Sequence, residues 1–156
     1  MPRCYSAPMD LRVAAYAVIT DDSGRMLLPH WYVNENAQGW TLPGGGLDPG
    51  EDPAEGVLRE ILEESGYEAE VQELLGIDNL VIDGERRLHP HQRGTPLQNL
   101  RIIYRARVTG GTLRVEPEGS TDDVNWFTHE EIDGLHRVSL VDTGRRLAGL
   151  LTDATR

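Results

Sequence analysis

The stretch from Pro53 to Ser65 constrains this chain more than any other, because both its ends and both its faces are written into the residues. Asp52 is placed to cap the first turn, Pro53 fills the first helical position where its missing N–H costs nothing, and Glu55 completes a capping box. Gly66 supplies a left-handed residue just past the end, so a helix over Pro53–Ser65 is predicted. At about 100° per residue, Ala54, Leu58, Ile61, Leu62 and Ser65 gather on one side, and Glu60, Glu63 and Glu64 on the other. Glu60 is one turn from both Glu63 and Glu64, and each pair repels by about 0.2–0.5 kcal/mol on a bare helix. Such a face needs water or a cation opposite it.

Around this helix the chain alternates strands with loops. Leu11–Thr20 is apolar and β-branched, Asp21-Asp22-Ser23-Gly24 is a turn and Arg25–His30 follows, which predicts a hairpin. Trp31–Gly39 reads as a polar loop, Trp40–Pro43 as a short extended piece, and Gly44-Gly45-Gly46 as the start of a second loop. Beyond the helix, Tyr67–Leu75 and Asp78–Ile82 read as strands and Asp83–Gln98 as a loop. Asn99–Val108 and Thr112–Val115 read as a hairpin across Gly110-Gly111, Trp126-Phe127 ends another strand, and Val138–Leu151 is a closing amphipathic helix. No repeat, low-complexity run or Pro/Gly/Ser-rich linker divides the 156 residues, so a single domain over residues 1–156 is expected.

The net charge of -11 opposes attraction to a nucleic acid polymer or an anionic membrane. No apolar run approaches the roughly 20 residues a membrane-spanning helix needs. Val13–Ile19 is bracketed by Asp10 and Asp21 and reads as a strand rather than a targeting signal. The single cysteine, Cys4, cannot form an internal disulfide, which suits a reducing, cytoplasmic location. A phosphorylated substrate would need local positive charge. Three carboxylates beside a glycine-rich loop make a hard-oxygen site suited to Mg2+ or Mn2+, which would supply that charge and cancel the repulsion.

Gly45, Glu51 and the run Arg59-Glu60-Ile61-Leu62-Glu63-Glu64-Ser65-Gly66-Tyr67 together resemble the complete signature of the Nudix hydrolase family. The flanks, Trp40-Thr41-Leu42-Pro43 and Asp122-Asp123-Val124-Asn125-Trp126-Phe127, are similar as well. The resemblance implies an α/β Nudix fold, an α/β/α sandwich with a mixed β-sheet. It implies metal-dependent hydrolysis of a pyrophosphate bond in a nucleoside diphosphate linked to another group, by water attack on phosphorus. By the same resemblance Glu60, Glu63, Glu64 and the Gly45 carbonyl hold the divalent ion. Arg59 is expected to pair with Glu51 or a glutamate of the set, fixing the loop onto the helix.

The general base is left among Glu60, Glu64, Asp122 and Asp123, the last a shorter acid where relatives often carry Glu. Arg101, Arg105, His91 and Tyr104 are candidate contacts to a small nucleotide, and nucleoside triphosphates, nucleotide sugars and related diphosphates all remain open. The alternative from another class is a nucleotide-binding or regulatory module on the same fold, against which the intact glutamate set argues. Dimers are common among similar proteins, so a homodimer is also considered, although no surface in the sequence announces one.

Overall fold

A computed structural model describes residues 8–151, and Cys4 lies outside them. Its elements are β1 (Asp10–Ile19), β2 (Met26–Asn34), β3 (Ala37–Trp40), β4 (Gly44–Gly46), α1 (Pro53–Ser65), β5 (Tyr67–Ile82), β6 (Leu97–Gly111), β7 (Thr121–Phe127), α2 (His129–Asp133) and α3 (Ser139–Leu147). The strands make two sheets, a mixed one in the order β4-β1-β6-β5 and an antiparallel one in the order β3-β2-β7. β1 runs parallel to β6 and antiparallel to β4.

β1 organises the molecule because successive side chains leave it on opposite faces. Ala15, Ala17 and Ile19 join Leu27, Ala106 and Val124 beneath Val57 and Ile61 of α1. Val18 points the other way and joins Met26, Leu28 and Ile103 against Ile132 of α2 and Leu140 and Val141 of α3. Each fully buried aliphatic side chain contributes about 1.5–3 kcal/mol, so both faces are firmly covered and the layering is α/β/α.

Strand partnership differs from the local expectation. The Asp21–Gly24 turn forms, with Asp21 Oδ1 accepting from Ser23 N at 3.0 Å and Arg25 N at 2.8 Å. Its flanking strands share only the Thr20–Met26 bridge and then part, β1 into one sheet and β2 into the other. Trp31–Gly39 is no loop but the β2–β3 hairpin, and Gly44–Gly46 is a strand paired with Ala14–Tyr16. β5 is one long bulged strand whose antiparallel partner is β6, so Thr112–Val115 does not pair across Gly110-Gly111. The Asp83–Gln98 segment holds two single 3-10 turns, α2 is an additional short helix, and α3 is shorter than predicted.

α1 has the predicted ends. Asp52 Oδ1 accepts from Ala54 N at 2.9 Å and Glu55 N at 3.3 Å, and Gly66, at φ 77°, donates its N–H to Leu62 O at 2.9 Å. Its facing is rotated from the expected one. Val57, Ile61, Glu64 and Ser65 are buried, while Leu62 is 44% exposed. The neighbour responsible is β4, whose glycines leave room for a carboxyl where a side-chain-bearing strand would not.

Candidate active site

Arg59 projects from α1 into the middle of the acidic group. Its Nε and Nη2 donate to Glu51 Oε2 at 2.7 Å and Oε1 at 2.9 Å, the two-pronged grip that only a guanidinium makes on a carboxylate. Its Nη1 donates to Glu60 Oε1 and Glu63 Oε2, both at 3.2 Å, and Nη2 reaches Gly46 O at 3.5 Å. The Arg59 bonds, helped by the Asp48 backbone N–H, lower the Glu51 pKa to about 2. These bonds tie Glu51 and its loop to the helix.

Glu60 and Glu64 stand in a different environment. Glu64 is only 7% exposed, receives one long bond from Gly44 N at 3.4 Å, and has no cationic partner among the described residues. Burial first, and then the negative charge of Glu60, push its pKa well above that of a free carboxyl. Glu60 shifts in the same direction, again chiefly through burial, with Arg59 pulling against it. Glu63 is half-exposed and faces Arg59 rather than this pair. A side chain at Gly45 would bring its Cβ within 2.9 Å of the Glu60 carboxyl, and one at Gly44 within 2.2 Å of Ala15 O. β4 is thus kept bare by its surroundings.

The sequence did not single out Glu116, in the segment between β6 and β7. Its charge helps raise Glu64, while its own pKa is raised by burial first and then by Glu63. Nothing in Val115-Glu116-Pro117-Glu118 marks it, because its approach to the helix depends on where β6 ends.

Among the described residues no three acidic or histidine side chains close into a finished cation cage, and Arg59 occupies the centre of the group. The donor chemistry still fits a hard divalent ion. Glu60 and Glu64 are neighbouring, largely buried carboxyls, one of them without a balancing cation, which is the condition a divalent ion relieves.

The pair lines a cleft of about 890 Å³ together with Gly44–Gly46, Tyr16, Trp31, His89 and Arg101. Arg101 is already committed to Asp78 through Nε at 2.8 Å and through Nη2. The other substrate candidates are not brought to the cleft. Arg105 bonds Glu73 at 2.9 Å and Ala148 O at 3.1 Å, further along β6 near the end of α3. Tyr104, on the opposite face of that strand, packs into the core beneath α1, and burial followed by the Asp52 charge raises its pKa. His91 stacks on His89 at 5.7 Å without lining the cleft itself. Asp122 is paired with His30 Nδ1 at 2.6 Å, and Asp123, exposed on β7, accepts from Val124 N at 2.8 Å. Thr121 is the β7 residue that lines the cleft, and no described bond joins Asp122 or Asp123 to the glutamates.

Comparison with known proteins bears on the fold as a whole. A family model described as the NUDIX domain matches residues 10–146. The chain belongs to the NUDIX family of hydrolases. It is similar to a MutT-like protein of Streptomyces ambofaciens, 29% identical over 131 residues that make up 84% of this chain and 73% of that protein. It also resembles the human 8-oxo-dGDP phosphatase NUDT18, 28% identical over 155 residues, 91% of this chain but only 43% of the human protein's length. Among solved structures, a NUDIX hydrolase from Nitrosomonas europaea superimposes with a TM-score of 0.72 at 25% identity, covering 90% of this chain and 89% of that one.

Proposed function

We propose that this Nudix pyrophosphohydrolase cleaves the phosphoanhydride of a small nucleoside diphosphate derivative, with Mg2+ or Mn2+ held by Glu60, Glu64 and the Gly45 carbonyl. The observation that carries this reading is Glu64, a buried carboxyl without a cationic partner among the described residues, set beside Glu60 at a cleft floored by bare backbone. A divalent ion bound there would neutralise diphosphate charge and lower the pKa of a water. The chain's own residues do the rest. Arg59 clamps Glu51 and Glu63 and so fixes the loop that carries the glycines. The absence of side chains on β4 lets a phosphate approach peptide groups closely. With Glu60 and Glu64 given to the ion, Glu116, whose charge reaches Glu64, is the nearby carboxyl left to take a proton from attacking water.

A small substrate fits the chain's net charge of -11 better than a nucleic acid polymer. No helix among the described residues is long and apolar enough to cross a membrane. The human relative's name adds oxidised purine nucleotides to the candidates. The test is a product-resolved screen over nucleoside triphosphates, 8-oxo-dGDP, nucleotide sugars and ADP-ribose, with wild type and Glu64→Gln. We expect Mg2+-dependent turnover that the substitution lowers by about 10²-fold or more. Equal turnover in both proteins across the panel would remove Glu64 from the mechanism.

A further inference from the structure

The cleft has a second charged pole. Arg12, half-buried on β1, donates from Nη1 to two neutral acceptors, Tyr16 Oη at 3.3 Å and Asn99 Oδ1 at 3.1 Å. Among the described residues no carboxylate pairs with it, whereas Arg87 and Arg101, which also line the cleft, are bound to Asp10 and Asp78. A guanidinium held in place by uncharged groups keeps its positive charge available.

The guanidinium packs close against β4. The Nε and Nη2 atoms, the edge that matches two phosphate oxygens at once, each lie 3.5 Å from the point a Cβ would occupy on Gly46. The same construction at Gly45 points at Glu60. Adjacent strand positions face opposite ways, so the ribbon carries the carboxylate pole on one flank and the Arg12 fork on the other. Arg12, Glu60, Glu64 and the bare ribbon line one cleft, so a diphosphate lying across β4 can meet both poles.

We infer that Arg12 is a substrate-positioning residue that grips, through its Nε–Nη2 edge, a phosphate lying across β4 from the carboxylates. Tyr16 and Asn99 aim the fork and Gly46 leaves it room. The inference rests on the hydrolase reading for the identity of the anion. Its own content is that the enzyme binds phosphate oxygens independently of the metal.

The experiment measures inorganic pyrophosphate binding by calorimetry in EDTA, together with KM and kcat in Mg2+ for the best nucleotide of the panel. Arg12→Gln should weaken metal-free binding about tenfold and raise KM by a similar factor, leaving kcat within a few fold. Arg12→Lys should recover part of the binding, since it restores the charge without the fork. Tyr16→Phe, which removes one tether and keeps the guanidinium, should give a smaller loss, and it keeps the test readable if Arg12→Gln is poorly folded. Glu64→Gln should bind pyrophosphate in EDTA as well as wild type or better. No detectable metal-free binding by wild type, or binding and KM unchanged in Arg12→Gln, overturns the inference. Failure of the hydrolase reading would show separately, as absent turnover with the EDTA binding arm intact.

Discussion

Glu64 and Glu51 titrate in opposite directions, and together they shape the pH dependence of the unliganded protein. The Glu51 pKa is lowered from 4.5 to about 2 by Arg59, so its contribution is complete above its unfolded value and drains away as pH falls toward 2. Glu64 is raised above 4.5 by burial and by Glu60, so its contribution is complete below 4.5 and is lost as pH rises through its folded value. Metal-free protein should therefore melt lower on both sides of a mildly acidic optimum. Glu64→Gln keeps the shape of the side chain, cannot ionise, and should raise the melting temperature at neutral pH while flattening the alkaline decline. Thermal melts in EDTA at a series of pH values check this, and a Glu64→Gln protein that melts well below wild type at neutral pH would contradict it.

At the scale of the element, α1 shows what was legible in the sequence and what was not. Its ends were, because Asp52, Pro53 and Gly66 act through bonds within a turn of themselves. The spacing of Glu60, Glu63 and Glu64 was legible too, but which of them would be buried was not. An amphipathic pattern assumes that polar residues face water, and it could not anticipate a neighbour strand made of glycine. Arg12 was hidden for a related reason, being one charged residue in a run otherwise diagnostic of a strand. Where Asp122 and Asp123 would face was not legible either, because the face a strand presents depends on its partner, here β2. The β1–β2 hairpin failed likewise, since the turn is local chemistry while β1 is claimed by β6 from far along the chain.

The same helix yields a counterintuitive prediction at Gly56. Replacing an interior helical glycine by alanine ordinarily gains about 0.5–1 kcal/mol. Here the added Cβ would stand 2.6 Å from Leu47 Cδ2 and 2.8 Å from Glu51 Oε1, and Glu51 is held in place by Arg59. Overpacking of this kind costs about 1–3 kcal/mol, which outweighs the propensity gain. Gly56→Ala should lower stability in a denaturant titration and loosen the Glu51 loop, and a stabilised variant would show that the loop yields freely.

For the whole molecule, the two apolar clusters on opposite faces of β1 mean that the scaffold does not depend on the acidic cluster for its integrity. A ligand that binds only the folded site then acts as added stability, about 2.7 kcal/mol at a hundredfold excess over its dissociation constant. Mg2+ or Mn2+ should raise the melting temperature of wild type near neutral pH, and Glu64→Gln should lose most of that rise. Equal metal-induced shifts in the two proteins would place the ion elsewhere.

The bare ribbon of β4 also bears on how such a protein changes its habits over generations. Peptide groups are the same whatever the sequence, so under the proposed reaction a floor made of Gly44, Gly45 and Gly46 would offer a diphosphate a grip that no point mutation can retune, only obstruct. Preference for one nucleotide over another must then be written on the walls, at positions such as Trp31 and His89. Those positions are free to vary while the chemistry beneath them is inherited intact.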